Sequence, residues 1–377
     1  MSRFLIAVVG LSCGLIVAIP ASADTSPGKS SLLNESDAAA VDRSVDRGIQ
    51  FLLSRGQAED GSFSKQTGTA VTSLVISSIL ANRPQMIDDP RVQKAIDFIV
   101  SNVRSDGGIY AENSKYRNYE TSVAVSAMVR ANRDDRFESE LKRAEAFLKG
   151  LQWDEGEGLE SSDTRYGGAG YGTHSRPDLS NTSFMVDALK DLGNDADDEA
   201  IQKALLFVTR TQNLNGHGND TQNAEKIGDG GFYYTPAGDG ETKAGETADG
   251  GLRSYGSMTY AGLKSMIYAG LTADDPRVAA AMQFISKHYS LDTNPGMGAA
   301  GLFYYYHTFA KALDVADIDT IDDAEGNAHD WRSELVAAVT TRQNDDGSWV
   351  NDENSRWMEG DRQLVTAYAL LSLSYAK

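Results

Sequence analysis

Six times along the chain, a segment apolar on one face is followed, across a turn, by a segment that is apolar or small on most faces. The first kind is seen in Arg47-Gly48-Ile49-Gln50-Phe51-Leu52, Lys94-Ala95-Ile96-Asp97-Phe98-Ile99, Arg143-Ala144-Glu145-Ala146-Phe147-Leu148 and Lys203-Ala204-Leu205-Leu206-Phe207-Val208. Looser copies are Ala280-Ala281-Met282-Gln283-Phe284-Ile285 and Glu334-Leu335-Val336-Ala337-Ala338-Val339. Apolar positions three and four apart predict helices with one buried stripe. The second kind, near 69–80, 121–128, 182–192, 256–267, 306–313 and 363–373, predicts helices buried on nearly all sides. The turns between them are rich in glycine and end on a large side chain, as in Asp60-Gly61-Ser62-Phe63, Asp106-Gly107-Gly108-Ile109-Tyr110, Asp229-Gly230-Gly231-Phe232 and Asp346-Gly347-Ser348-Trp349. A weaker copy is Pro295-Gly296-Met297, and the third repeat carries the longer Tyr166-Gly167-Gly168-Ala169-Gly170-Tyr171-Gly172. Six one-sided and six all-round helices predict an all-α fold, an (α/α)6 toroid with a double ring of inner and outer helices, over residues 35–377. An open helical solenoid is the alternative.

Composition narrows the setting. The formal net charge of −19 argues against nucleic acid, whose phosphates need a basic face, and against anionic lipid surfaces. Residues 1–23 read as a secretory signal peptide: Arg3, then an uncharged apolar run, then Ala21-Ser22-Ala23 before Asp24. A membrane anchor is the alternative. Residues 24–34 read as a flexible N-terminal segment. The expectation is a secreted or periplasmic protein with no stable membrane span after signal removal. Removing the leader takes the charge to −20 and removes the single cysteine, Cys13, leaving no thiolate for a disulfide, a metal or nucleophilic attack.

Two of the turns, Gln57…Gly61-Ser62-Phe63 and Gln343…Gly347-Ser348-Trp349, resemble the QxxxGxW repeat of squalene and terpene cyclases. The inner–outer helix plan resembles that of protein prenyltransferase β subunits. The resemblance implies the same toroid over nearly the whole mature chain. Cyclases of this kind protonate an alkene with an acid of a DxDDT motif; the matching slot reads Asp178-Leu179-Ser180-Asn181-Thr182, with two acids replaced. A literal DxDD, Asp195-Ala196-Asp197-Asp198, falls where outer helices open and reads as a helix cap. The prenyltransferase zinc slots fall on Phe303, Tyr305 and Arg362, none of them a suitable ligand. No metal and no cofactor is expected from these residues.

The loops before the third and fourth inner helices, roughly 154–178 and 213–253, are long, and long ordered insertions carry function. They and neighbouring helix starts offer candidate ligand-binding residues: Tyr166, Tyr171, His174, Arg176, Asp178, Arg253, Tyr255, Tyr305, His307 and Arg362. Tyr116, Tyr119, Tyr234, Tyr304 and Trp357 belong to the same expected mouth. Aromatic rings there suit a sugar or an apolar isoprenoid pocket, and they equally suit filling the barrel. The preferred expectation is binding of a small molecule or protein partner without cyclase or zinc chemistry. The alternatives are a divergent isoprenoid-processing enzyme or a carbohydrate-active one. The latter would be a lyase using Tyr171, His174, Arg176, Tyr255 and His307, or a hydrolase pairing Glu120 with Asp178. The acidic stretches 322–330 and 239–249 read as solvated loops, with loosely held calcium as the other reading.

Overall fold

The one-sided helices start where a short polar side chain closes the first turn. Asn34, Asp89, Asp198, Asp275 and Asp330 each accept a main-chain N–H of the helix they precede. The helices so opened are α1 (Glu35–Phe51), α3 (Pro90–Ser101), α7 (Glu199–Arg210), α9 (Pro276–Lys287) and α11 (Trp331–Thr340). With α5 (Glu138–Lys149) they form the outer set. Asp198, the last acid of the literal DxDD, accepts from Ala200 and Ile201 at the start of α7. The inner set is α2 (Ala70–Asn82), α4 (Arg117–Ala131), α6 (Leu179–Asp191), α8 (Gly256–Tyr268), α10 (Leu302–Val315) and α12 (Arg362–Tyr375). Three of these, α4, α6 and α10, begin three or four residues before the apolar pattern does, because neighbouring groups cap starts that the pattern cannot register. The computed structural model describes residues 33–172 and 175–377. The expected leader, nearly all of the segment after it, and His174 lie outside them.

Each inner helix packs on the next, and α12 returns to α2, so the inner ring closes. Outer helix α11 packs on α1 across the seam between the last and first repeats. The chain is thus an (α/α)6 toroid, and residues 32–377 are one compact unit. A two-residue antiparallel hairpin, β1 (Ile321–Asp322) with β2 (Ala328–His329), precedes α11.

One joint repeats around the ring. In five repeats the turn glycine has positive φ and lies against a carbonyl of the next outer helix: Gly61 on Lys94, Gly107 on Arg143, Gly167 on Lys203, Gly230 on Ala280 and Gly347 on Arg47. A Cβ at any of these would come within 2.6 Å of that oxygen. The turn and the helix segment that repeats with it are therefore two halves of one contact. A glutamine side chain clamps it in four places. Gln343 Nε2 donates to Gly347 O and to Ser44 O, both at 2.9 Å, across the seam between last and first repeats. Gln57, Gln152 and Gln212 do the same one repeat on. On the inner side a threonine hydroxyl accepts the main-chain N–H that follows the turn: Thr72 from Phe63, Thr121 from Ile109, Thr182 from Ala169, Thr259 from Phe232 and Thr366 from Trp349.

Inside the barrel, more than two turns below the helix starts, lies a buried ionic cluster. Asp187 of α6 pairs with Lys264 of α8 at 2.6 Å and Lys311 of α10 at 2.9 Å. Burial pushes the Lys264 amine down to about 8, while Asp187 is held below the usual carboxylate range, the two lysines overcoming the desolvation that opposes ionisation. His307 lies beside them, stacked on Tyr368, and burial pushes its imidazole down to about 3, so it is neutral.

Candidate functional site

All six inner helices contribute their first turns to one end of the barrel, and a cavity of about 460 Å³ opens there. Its wall is mostly aromatic and aliphatic: Tyr119 from α4, Phe184 from α6, Met258 from α8, Tyr304 from α10, Leu364 and Tyr368 from α12, Ala70 and Val71 from α2. Neighbouring rings meet edge-on or tilted, Tyr119 on Phe184 at 5.0 Å and Tyr304 on Tyr368 at 5.9 Å between centroids. Tyr116, Tyr171, Trp357 and Met358 form the lip and are exposed, although large and apolar. Trp357 and Met358 both hold left-handed backbone, at φ 57° and 66°, a conformation that costs side-chain-bearing residues energy and persists where surrounding contacts impose it.

The long third and fourth connections deliver Tyr171, Tyr234 and Lys243 to this wall. Ser180 and Asn181, in the slot of the two missing acids, also face it. Ser180 Oγ lies 2.9 Å from the Tyr304 hydroxyl. Asp178 does not open onto the cavity. It caps α6, accepting from Asn181 N at 2.9 Å and Asn181 Nδ2 at 2.8 Å, with the Tyr234 hydroxyl near both it and Tyr171. Burial pushes the Asp178 carboxyl up to about 6 against these donors. Glu359, the one carboxyl on the cavity wall among the described residues, accepts from Tyr304 N at the start of α10 (2.8 Å) and from Asn351 Nδ2 (2.6 Å). Burial pushes it up to about 7.

The structure brings together Tyr171 and Tyr255 on the cavity wall, with Asp178 directly behind. It sends the other candidates elsewhere. Tyr166 donates to Glu155 at 2.6 Å. Arg176 pairs with Glu241 at 2.6 Å, outside the lining. Arg253 is exposed on its loop. Tyr305 donates to Ser290 O at 2.7 Å within the core, and His307 sits deeper, beside the ionic cluster. Arg362 pairs with Asp346 at 2.9 Å. Glu120 is not set opposite Asp178: it accepts from Thr69 N (2.8 Å), Ala111 N (2.9 Å) and the Ser114 hydroxyl, and so closes the start of α2. In the acidic stretches, Asp323 accepts from Asn327 and lies 3.2 Å from the His329 ring, and Glu241 pairs with Arg176 and Lys243. No cluster of metal-ligating side chains occurs among the described residues. No helix among them is long and apolar enough to cross a membrane. Phe184, Met258, Leu364 and Tyr368 escaped the sequence reading. They sit in the first two turns of inner helices, and the signal was their place just after each helix start.

The ring and its axial cavity define the fold: an (α/α)6 toroid with a chamber at one end, the architecture also seen in terpene cyclases. Residues 66–235 match the family profile of the squalene-hopene cyclase C-terminal domain. Among solved structures, the type II terpene cyclase MstE from Scytonema is similar at 14% identity and a TM-score of 0.53, with 89% of this chain and 97% of that one covered. A point variant of the same cyclase gives 14% identity and a TM-score of 0.52, covering 91% and 99%. At that identity the match speaks for the fold. No curated protein sequence is significantly similar to the chain.

Proposed function

We propose that this chain is an exported toroid that binds an apolar, isoprenoid-like small molecule in the axial cavity, without alkene-protonating cyclase or zinc prenyltransferase chemistry. The observation that carries the reading is the cavity wall at the acid slot, where Ser180 and Asn181 stand in place of two carboxyls. A hydroxyl or an amide does not donate a proton to an alkene. The two nearby carboxyls, Asp178 and Glu359, are both pushed up, which makes them weaker acids than a free carboxyl. The volume lies within the range of small-ligand pockets, and the lining is the aromatic and aliphatic kind that removes an apolar chain from water. Export rests on the leader-like residues 1–23.

The test is a titration with farnesol, geranylgeraniol and squalene, followed by thermal melting and by mass-spectrometric analysis of the organic extract. The reading expects stabilisation that grows with ligand concentration and unchanged ligand in the extract. Cyclised or hydrated product would sink the binding-only reading in favour of an isoprenoid-processing enzyme. Absence of any stabilisation would sink the cavity as a binding site.

A further inference from the structure

Resting on the cavity reading, we propose that the ligand carries an anionic head group, a carboxylate or its like, held at the mouth by Arg356, Lys243 and the Tyr255 hydroxyl. Three separate features meet at this corner. Tyr255 is 2% exposed and lines the cavity, and among the described residues nothing bonds to its hydroxyl, a donor left for a ligand. Arg356 has no carboxylate partner among the described residues. Its guanidinium lies 4.3 Å over the ring of Trp357, which lines the mouth of the cavity. Lys243 lines the cavity with its amine 4.5 Å above the Tyr234 ring, and its ion-pair partner is Glu241.

The charge balance at the mouth runs against that of the whole chain. In a protein of net charge −19, Lys243 and Arg176 share the half-buried carboxylate of Glu241 here, and Arg356 adds a further cation with no carboxylate partner among the described residues. Asp178 is buried behind Asn181, and Glu359 is occupied by the start of α10. Guanidinium and ammonium donors beside an apolar chamber complement an amphiphile: the chain enters between the rings, and the head stays at the rim, where both cations can bond it.

The experiment compares farnesoic acid with farnesol, which differ only at the head, by calorimetric titration at neutral pH and low salt. The acid is expected to bind about tenfold more tightly than the alcohol, the effect of one charge-assisted pair, and high salt is expected to shrink the ratio. In the double variant Arg356→Gln/Lys243→Gln the ratio falls toward one. In Glu241→Gln, which frees Lys243, the ratio rises. Equal binding of acid and alcohol by the unaltered protein overturns the head-group assignment while the cavity reading stands, as does a ratio that survives the double variant. Binding of neither molecule overturns both.

Discussion

Replacing Gly347 by alanine tests whether the seam between the last and first repeats is a backbone-to-backbone contact. Gly347 has φ +89°, and an added Cβ would lie 2.4 Å from the Arg47 carbonyl oxygen in α1. The left-handed backbone alone costs a side-chain-bearing residue ~1–2 kcal/mol. The overlap is with main chain, so α1 must move or the turn must open, at the ~1–3 kcal/mol typical of overpacking. Together they predict a loss of ~3 kcal/mol. Gly326, in the hairpin turn between β1 and β2, separates the two costs. Its φ is +84°, and a Cβ there meets nothing within 4 Å, so Gly326→Ala isolates the backbone cost at ~1 kcal/mol. Urea unfolding followed by far-UV circular dichroism reads both. With a slope of ~3 kcal/mol per molar, Gly347→Ala moves the midpoint by about 1 M and Gly326→Ala by about a third of that. Equal shifts would refute the joint as a source of ring closure.

Three further outcomes follow from the buried polar groups. Glu359 is pushed up from 4.5 to about 7, so between those values the unfolded chain ionises while the folded one stays protonated, and this residue's contribution to stability falls as pH rises. The cost of Glu359→Gln relative to the unaltered protein is therefore expected to shrink by ~3 kcal/mol from about pH 4.5 to about 7, read by urea midpoints at several pH values; a flat or growing difference would rule this out. Asp187→Asn leaves two buried ammonium groups without a counter-charge and is expected to cost ~3–5 kcal/mol, seen as a large drop in melting temperature; a drop no bigger than for an exposed pair such as Arg133–Asp88 would contradict the cluster's burial. Glu120→Ala orphans the Thr69 and Ala111 main-chain donors at ~1–3 kcal/mol each, and amide exchange should quicken at the start of α2; unaltered exchange there would count against the cap.

The double ring was legible because its two signals are local. A 3.6-residue stripe marks each outer helix, and a turn glycine marks each joint. The threonines were not legible as a set, since Thr72, Thr121, Thr182, Thr259 and Thr366 bond across chain separations of nine to twenty-seven residues. Thr182 shows the consequence: in the sequence it reads as a remnant of a catalytic motif, and in the fold it is the same turn-holding hydroxyl found in four other repeats. The candidate site was legible only in part. Whether an aromatic at a helix start faces the axis or a neighbour depends on each helix's rotation in the ring. Tyr304 and Tyr305 are adjacent in the chain, yet the first lines the cavity and the second bonds Ser290 in the core. Arg176, Arg253 and Arg362 lie near the right helix starts and turn to partners or solvent instead.

Six parallel helices aim their positive ends at one chamber, an arrangement that elsewhere makes an anion site. Here the donors are already taken. Glu120 closes α2, the Tyr171 carbonyl accepts from Asn118 N in α4, Asp178 closes α6, Asn294 accepts from Ser257 N in α8, Glu359 closes α10 and Asp361 closes α12. Those groups stand behind or within the wall, so what faces the axis is chiefly aromatic ring and methyl group. The same assignment weakens the acids. A carboxyl pushed from 3.8 to about 6, as Asp178 is, has lost ~3 kcal/mol of proton-donating power, and its nearest exit is blocked by Asn181. Protonating an alkene demands a change in the opposite direction. Restoring acids at both positions with Ser180→Asp/Asn181→Asp puts a carboxyl on the cavity wall, and geranylgeraniol is then the substrate to offer. Trace cyclisation by that variant alone would mean that the missing acids were what separated a binding chamber from a cyclase. Cyclisation by the unaltered protein would mean that the weakening of Asp178 and Glu359 had been misjudged.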